Sequence, residues 1–549
     1  MIRPRRTLKS NKGTALVTGL IVMMMVSMFG IAYVTLTSTN LIRAGREERR
    51  ATTFHLAEAG LEYVIAQIIS QAETNGGVIT AQTYNTAPLL SSLRSGASGS
   101  VVVTPEASNT HATITSMATY RGITERIRVR LRIRNVNVWN NAIFAGIGQA
   151  GRGINGNVDI RGSVHILGEG DPFSDLNGNG LWDPAESFVD PNGNGVFEPG
   201  LGETFTDSDG NGVWSPAEPY QDNNLNGVYD PPLTATELAS DMSGNANIGN
   251  NYSGIPAGLQ AKIPALVPSV YGGDTVRTLD AELRVKHGRV NVSGTATVGD
   301  PNVPGNAFKE TVDGCYVTDG YGGNQGTNNV YSDNGTTTGY DLGDRIPFPG
   351  LFDEYTDPDT GTTYSTHENY LLATSLLVPV PKIDNTVASF SYTDGTNSFS
   401  WDKAANTLTI SGIVRINGNL DLSAKGTTVN YSGRGTLFVN GSIYVHGSVM
   451  PVATFPATDV MGCIAKYDIE FATGGGEAQL MGAGAWYAQR KIKSAKQNQF
   501  AGTYVANYFD MGTNVPSIYQ VPALAQNMPP GMPGGDAVIA AQVLSWRHL

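Results

Sequence analysis

The first part of the chain is a long apolar run that continues into an amphipathic pattern. No charged side chain occurs from Thr14 to Ile42, and the run Ala15–Leu36 exceeds the roughly 20 apolar residues that cross a bilayer as a helix. Apolar side chains then recur at the spacing of one helix face, at Phe54, Ala57, Leu61, Val64, Ile65 and Ile68. These patterns predict a helix over residues 14–75 that spans a membrane and extends several turns beyond it.

Alternation of apolar and polar residues predicts a small sheet after this helix. Between Arg126 and Arg134, five arginines alternate with apolar residues, and the shorter runs VVV at 101–103 and ATIT at 112–115 add further strand-like segments. We therefore expect a sheet within residues 76–134. The arginine face is interpreted as a solvated strand surface, and no nucleic acid is expected as a partner because no aromatic residues are interleaved with it.

Short strand-like segments with a shared signature recur in the rest of the chain. Each alternates apolar and polar residues and turns at Gly or Asn-Gly. These segments are residues 154–166, 287–299, 416–426 and 439–449. They predict a parallel β-helix, or solenoid, that occupies residues 135–170 and 238–515 and is interrupted at 171–237, with a β-sandwich as the alternative. The Pro/Gly-rich tail 516–549 is expected to end in a strand that closes the sheet.

The predicted fold class is therefore mainly β with one long N-terminal α-helix. The composition of the chain agrees with this fold class, because 66 glycines and only 15% charged residues are typical of turn-rich β-structure. The formal net charge of −12 is not evenly spread. The stretch from Asp171 to Glu237 holds thirteen acidic residues and no Lys or Arg, so a local need such as cation binding should explain it.

This acidic stretch contains four repeats with one ligand-like pattern. The repeats begin at Asp175, Asp190, Asp207 and Asp222. Each has Asp at position 1, Asn or Asp at position 3, Asn at position 5, Gly at position 6 and an aromatic residue at position 8. This is the oxygen-ligand spacing of an EF-hand loop, and hard oxygen ligands indicate Ca²⁺ as the cofactor. Pro after position 9 and the lack of flanking helical patterns argue against the EF-hand fold itself.

The candidate calcium ligands follow from these positions. In the first loop they are Asp175, Asn177, Asn179, the Leu181 carbonyl, Asp183 and bidentate Glu186. In the third they are Asp207, Asp209, Asn211, the Val213 carbonyl, Ser215 and Glu218. In the second they are Asp190, Asn192, Asn194, the Val196 carbonyl, Glu198 and Glu203, and in the fourth Asp222, Asn224, Asn226, the Val228 carbonyl and Asp230.

Position 12 distinguishes the loops from one another. The second and fourth loops have Leu201 and Leu233 there, so Glu203 or a carboxylate from a neighbouring loop would have to substitute for the usual Glu. We therefore expect tighter binding at the first and third loops. An aromatic residue also stands two positions before each loop, and with the position-8 aromatics these residues predict an apolar spine. The loop chemistry resembles that of thrombospondin type 3 and dockerin modules.

The N-terminal region resembles PilX-type minor pilins of type IV pilus systems. The matching features are a basic leader that ends at Lys12-Gly13, the apolar start TALV, the charged segment Arg43–Arg50 and the block Phe54–Leu61 (FHLAEAGL). The resemblance implies that residues 1–13 are a leader cleaved after Gly13 by a prepilin peptidase, which exposes Thr14. Residues 430–510 also resemble, more weakly, the β-solenoid regions appended to such proteins.

The resemblance also implies a structural role and a location. Typical major pilins carry Glu at the fifth position of the mature chain, where this sequence has Thr18, so a rare or tip position is expected. Basic residues before the apolar run favour an inner-membrane anchor with the bulk of the chain periplasmic or extracellular. The expected partners are pilin and other minor pilin subunits, with a surface receptor or glycan as a further candidate.

No catalytic function is expected from the motifs. The sequence has no G-x-S-x-G, H-E-x-x-H or P-loop motif, and its seven histidines are scattered. The expected function is a minor pilin or pseudopilin that displays a calcium-stabilised β-rich domain. The alternative is a membrane-anchored, calcium-dependent adhesin that never enters a filament. A disulfide between Cys315 and Cys463 is left open.

Overall fold

The computed structural model describes most of the chain. The described residues are 12–75, 77–106, 110–149, 159–168, 170–171, 173–176, 181–208, 212–222, 229, 247–288, 290–292, 296–323, 329–335, 339, 346–510, 516–536 and 538–549. The helices are α1 Lys12–Thr74, α2 Ala87–Leu93, α3 Ala257–Gln260 and α4 His367–Thr374, and single 3₁₀ turns occur at Pro199–Leu201 and Pro522–Gln526.

Strands make up most of the regular structure after α1. Those that precede and follow the acidic stretch are β1 Gln82–Asn85, β2 Ser98–Pro105, β3 His111–Tyr120, β4 Ile123–Asn135, β5 Ile143–Gln149, β6 Asp159–Arg161, β7 Val164–Ile166, β8 Asn247–Gly249, β9 Pro268–Tyr271, β10 Asp274–Arg277, β11 Glu282–Val285, β12 Val290–Val292, β13 Thr297–Val298, β14 Gly314–Val317 and β15 Tyr321–Gly323. The later ones are β16 Tyr355–Thr356, β17 Thr363–Tyr364, β18 Leu376–Leu377, β19 Lys382–Ile383, β20 Phe390–Thr393, β21 Ser398–Asp402, β22 Thr407–Asn417, β23 Leu420–Leu422, β24 Thr428–Asn440, β25 Ile443–Val445, β26 Ser448–Pro451, β27 Val460–Ala465, β28 Asp468–Phe471, β29 Met481–Ser494, β30 Gln499–Asp510, β31 Ser517–Tyr519 and β32 Ile539–His548.

The first of two compact units contains α1 and a small sheet. It consists of Met1–Ala72, Val78–Ile133 and Ala541–Leu549. The sheet order is β1-β2-β3-β4-β32, and β1 to β4 pair as antiparallel neighbours. The apolar residues of β4 are buried while the arginines between them point to the other face, as period-2 alternation requires. The second half of α1 buries the apolar stripe that its sequence pattern predicts.

The final strand of the chain lies in a different sheet from the one expected. Strand β32 was expected to close the large sheet, but it pairs with β4 in the small one. The Leu549 backbone N–H donates to the Arg126 carbonyl at 2.9 Å, and Phe54 of α1 makes edge contacts with the rings of Trp546 and His548. Strand β4 has a free edge in the small sheet, and the ten-residue β32 pairs with that edge. Sequence periodicity predicts a strand but cannot specify which edge it joins.

The second unit is a stack of parallel strands. It consists of Glu73–Gly77 and Arg134–Ala540. One column of parallel neighbours runs β18-β22-β24-β27-β29-β30-β5-β7-β11-β14. A second column runs β31-β6-β8-β13, also parallel. This coil-by-coil pairing is that of a solenoid and not that of an antiparallel sandwich, and the predicted class, mainly β with one long N-terminal helix, is confirmed.

A ladder of buried side chains passes through the first column. The register stacks Val414, Leu437, Cys463, Trp486, Tyr504, Ile143, Val164, Leu283 and Cys315 in that order. All of these side chains are buried. The two cysteines are six rungs apart, which at about 4.8 Å per rung places them about 29 Å from each other. Since a disulfide needs Cα atoms within about 7 Å, Cys315 and Cys463 cannot be bonded, and both are free thiols.

The order of strands in this unit differs from their order in the chain. The chain enters at β5 in the middle of the column, builds toward β14, crosses to β18 at the opposite end and returns coil by coil to β30. There β30 pairs with β5 through Tyr504 and Ile143. The acidic stretch 171–237 leaves the solenoid between β7 and β8, so it is an excursion from a single coil.

Candidate functional sites: the N-terminal helix and the acidic loops

The first half of α1 is the exposed apolar surface that the sequence predicts. Its large apolar side chains from Leu16 to Ile42 are exposed, whereas Leu56, Leu61 and Val64 in the second half are buried. Within the described residues α1 is long and apolar enough to cross a membrane, with a mean hydropathy of 2.1 over its most apolar window. Burying this surface in lipid or against other helices would be strongly favourable.

The residues of the expected cleavage site lie at the start of α1. Residues 1–11 fall outside the described residues, while Gly13 and Thr14 have helical backbone in its first turn. Thr18 follows one turn later on the exposed surface. The processing itself stays a prediction.

An ion cluster ties the middle of α1 to the sheet. Glu125, buried in β4, accepts hydrogen bonds from Arg50 Nε at 2.8 Å and His548 Nε2 at 2.5 Å. Burial opposes ionisation of Glu125, but the contacts with His548 and Arg50 outweigh it, so the pKa of this carboxyl is lowered. Helix, sheet and chain end thus meet at one carboxylate that sequence periodicity does not single out.

In the acidic stretch the aromatic residues form two clusters and not the single spine expected. The first contains Phe173, Trp182, Tyr220 and Tyr229 of loops one and four, and Trp182 stacks on Tyr229 with ring centroids 4.4 Å apart. The second contains Phe188, Phe197, Phe205 and Trp214 of loops two and three. Isolated β-bridges link Phe173 to Tyr220 and Phe188 to Phe205. The aromatic residues therefore pair loop one with loop four and loop two with loop three, because most ring contacts in each cluster join residues of different loops.

The second loop is described throughout and turns as its glycines predict. Asp190 accepts hydrogen bonds from the backbone N–H groups of Gly193 and Gly195, each at 2.7 Å. The N–H of Gly195 is the main cause of the lowered pKa of Asp190, which stays charged. Gly195 has a φ of +72°, and Gly212 at the same position of loop three has +76°, a conformation that favours glycine. The side-chain amides of Asn192 and Asn194 both donate to Glu198 Oε2.

Among the described residues, the carboxylates of Glu186 and Glu218 hydrogen-bond to loops other than those to which the sequence assigned them. Glu186 accepts from the backbone N–H groups of Ser208 and Ser215 in loop three, at 2.5 and 3.1 Å. Glu218 accepts from those of Leu176 and Asp183 in loop one, at 2.7 and 3.2 Å. The spacing of residues within a loop predicts which positions of that loop face inward. It cannot show which loop a glutamate contacts in the folded chain.

The carboxylate of Glu203 contacts the backbone of the second loop, which has Leu201 in place of Glu at position 12. Its Oε2 accepts from the Glu198 backbone N–H at 2.6 Å. This agrees with one of the two substitutes that the sequence left open. Leu201 at position 12 is exposed and part of a 3₁₀ turn, which brings Glu203 back to the loop.

The remaining predicted ligands are only partly placed. Asp175, Leu181, Asp183, Val196, Asp207, Val213, Ser215 and Asp222 lie in the described segments. The other candidates lie outside them, namely Asn177, Asn179, Asp209, Asn211, Asn224, Asn226, Val228 and Asp230. Within the described part of the chain, no three His, Cys, Asp or Glu side chains are grouped closely enough to hold a metal, so calcium binding stays a prediction.

The fold is similar to that of a known pilin. No protein-family model matches the chain, and no curated protein matches its sequence. The crystal structure of the competence-associated pilin ComZ from Thermus thermophilus is similar, with a TM-score of 0.51 and 19% sequence identity. The similarity covers 91% of this chain and 97% of that chain, so it extends over the helix, the small sheet and the solenoid. At this identity the comparison shows a shared fold.

Proposed function

We propose that this protein is a pilin-like structural subunit of a type IV pilus or related system, of the minor pilin kind. The observation that carries the proposal is the division of α1 into an exposed apolar half and a half buried on its sheet. A lone membrane anchor does not need the additional turns, whereas a subunit that packs its helix beside others does. The fold shared with the pilin ComZ supports the same role.

The residue at the fifth position of the expected mature chain favours a rare or terminal subunit. In hydrocarbon a neighbour's N-terminal amine is costly unless a carboxylate neutralises it, and Thr18 offers none. We therefore propose that the protein enters few positions of a filament, the tip among them. Pilin subunits and a prepilin peptidase are the proposed partners.

We further propose that Ca²⁺ organises the acidic loops that this subunit displays for adhesion or partner binding. Support comes from the second loop, where Asp190 accepts from the backbone of the glycine turn and Glu203 accepts from the backbone N–H of Glu198. Carboxylate, amide and carbonyl oxygens at this spacing suit Ca²⁺. A surface receptor or glycan is the proposed target of the displayed region.

The proposal is tested by sequencing the N-terminus of the mature protein and by assaying sheared filaments for its presence. Native protein should begin at Thr14 and co-purify with filaments. The Gly13→Val variant should retain its leader and should be absent from the filament fraction. Gly19→Val is the matched control, because a Cβ at Gly19 meets no atom within 4 Å, and it should behave as native.

The alternative, a calcium-dependent adhesin on a membrane anchor, predicts a different outcome. Such a protein would stay in the membrane fraction, and its N-terminus would not begin at Thr14. Either result would contradict the pilin proposal.

A further inference from the structure

Three glutamates of the acidic loops are buried without a basic partner. The exposed fraction is 6% for Glu186, 8% for Glu203 and 4% for Glu218. Among the described residues no Lys, Arg or His forms an ion pair with any of them, and residues 171–237 contain no Lys or Arg. Removing a carboxylate from water without a compensating charge is costly. Both carboxylate oxygens of Glu186 and of Glu218 accept backbone N–H groups, whereas Glu203 Oε1 is buried without any hydrogen-bond partner. The Glu203 carboxylate therefore points most directly to a cation as the missing ligand.

All three carboxylates accept a hydrogen bond from the same position of a loop. The backbone N–H of position 9 donates to a glutamate Oε2 in each case: Asp183 to Glu218, Glu198 to Glu203, and Ser215 to Glu186. In calcium loops of this spacing a bidentate Glu closes the coordination sphere. The three carboxylates therefore occupy equivalent places relative to the loops that they contact.

The exchange between loops one and three is held by more than the carboxylates. The Glu186 backbone N–H donates to the Ser215 carbonyl and the Glu218 N–H donates to the Asp183 carbonyl, both at 3.0 Å. The indole N–H of Trp214 donates to the Glu186 carbonyl and that of Trp182 to the Glu218 carbonyl, both at 2.8 Å. These reciprocal contacts anchor the backbone of each closing glutamate on the opposite loop.

We propose that loops one and three close each other's cation sites by exchanging Glu186 and Glu218, whereas loop two is closed by its own Glu203. This rests on the proposed binding of Ca²⁺ by the loops. Two consequences follow from the geometry. Loops one and three are mutually dependent, because displacement of either removes a carboxylate from the other. Loop two is a self-contained site, although its sequence lacks Glu at position 12.

The test is hydrogen exchange of the full chain in detergent, measured by mass spectrometry against free calcium concentration. The variants are Glu186→Gln, Glu218→Gln and Glu203→Gln, which keep the side-chain shape and remove the charge. Glu186→Gln should raise the calcium midpoint for protection of residues 207–215 at least tenfold and shift that of 175–183 less. Glu218→Gln should have the mirror-image effect, and Glu203→Gln should act on residues 190–198.

The outcomes separate this inference from the calcium proposal itself. If native protein shows no calcium-dependent protection in residues 171–237, both fail. If native protein is protected but Glu186→Gln shifts mainly residues 175–183, the exchange is wrong while calcium binding stands. Unchanged exchange in β24 and β29 shows that a variant has kept its solenoid, so an unfolded variant cannot be mistaken for either result.

Discussion

At the scale of single residues, His367 links the stability of the solenoid unit to pH. Its ring lies against Tyr355 with centroids 4.2 Å apart, and its Nε2 is 3.0 Å from the Gly531 carbonyl. Burial lowers its pKa to about 4, although the Gly531 carbonyl opposes the shift. The folded protein therefore holds His367 neutral over a range in which the unfolded chain takes up a proton.

The sign of the pH effect follows from this depressed pKa. The stability associated with neutral His367 is present above its ordinary pKa of 6.5 and is lost as pH falls through about 4. A pKa lowered from 6.5 to about 4 corresponds to on the order of 3 kcal/mol in total. His367→Gln keeps a side-chain donor and should remove about 2–3 kcal/mol of the stability lost between pH 7 and 4.5. Denaturant titrations of native protein and variant measure this, and equal losses would refute it.

At the scale of elements, the described part of the acidic loop segment buries little apolar surface apart from its two aromatic clusters, and the remaining contacts are mainly hydrogen bonds. Leu176, Leu181, Val196, Leu201 and Val213 are all exposed. Its described backbone is mostly irregular, with isolated bridges in place of a ladder. A segment with so little burial depends on ligand binding for its free energy of folding, as small metal-dependent modules do.

Removing calcium should therefore open this element selectively. We expect a chelator to speed protease cleavage within residues 171–237 by at least tenfold while the solenoid strands stay resistant. Limited proteolysis followed by mass spectrometry locates the cuts, and restored resistance after calcium is added back, but not after magnesium, is the control. The same cleavage rate with and without the chelator would show that calcium does not organise the segment.

At the scale of the whole molecule, the chain end completes the first unit. Strand β32 supplies Trp546 and His548 to the ring of Phe54, and His548 contributes one of the hydrogen bonds on Glu125. The N-terminal helix, the sheet and the last nine residues therefore form one unit, although hundreds of residues separate them in the chain.

Truncation after Ala540 should consequently weaken the first unit and spare the second. Loss of β32 exposes the edge of β4 and removes His548 from Glu125, so amide protection in β4 should fall while that in β24 is unchanged. Val543→Ala is the matched control, since Val543 lies in the same strand and is 51% exposed. Hydrogen exchange measures both, and undiminished protection of β4 in the truncated chain would contradict the predicted role of β32.

The sequence by itself determined the local features of this protein. The apolar length and helical spacing around Leu61 predicted α1, with its C-terminal end correct to within one residue, and the alternation around Val129 predicted β4. The loop turns at Gly195 and Gly212 also followed from local spacing. Each of these depends on contacts between residues a few positions apart, which periodicity and turn chemistry encode.

Tertiary structure alone decided which distant parts meet. Tyr504 stacks on Ile143, β32 joins β4, and Glu186 lies against loop three. Parallel strands of similar alternation fit one another in many orders, and a glutamate can meet either of two loops with the same backbone turn. The choice depends on the free energy of the whole packing arrangement, which combines contacts far apart in the chain and has no signature in any local pattern.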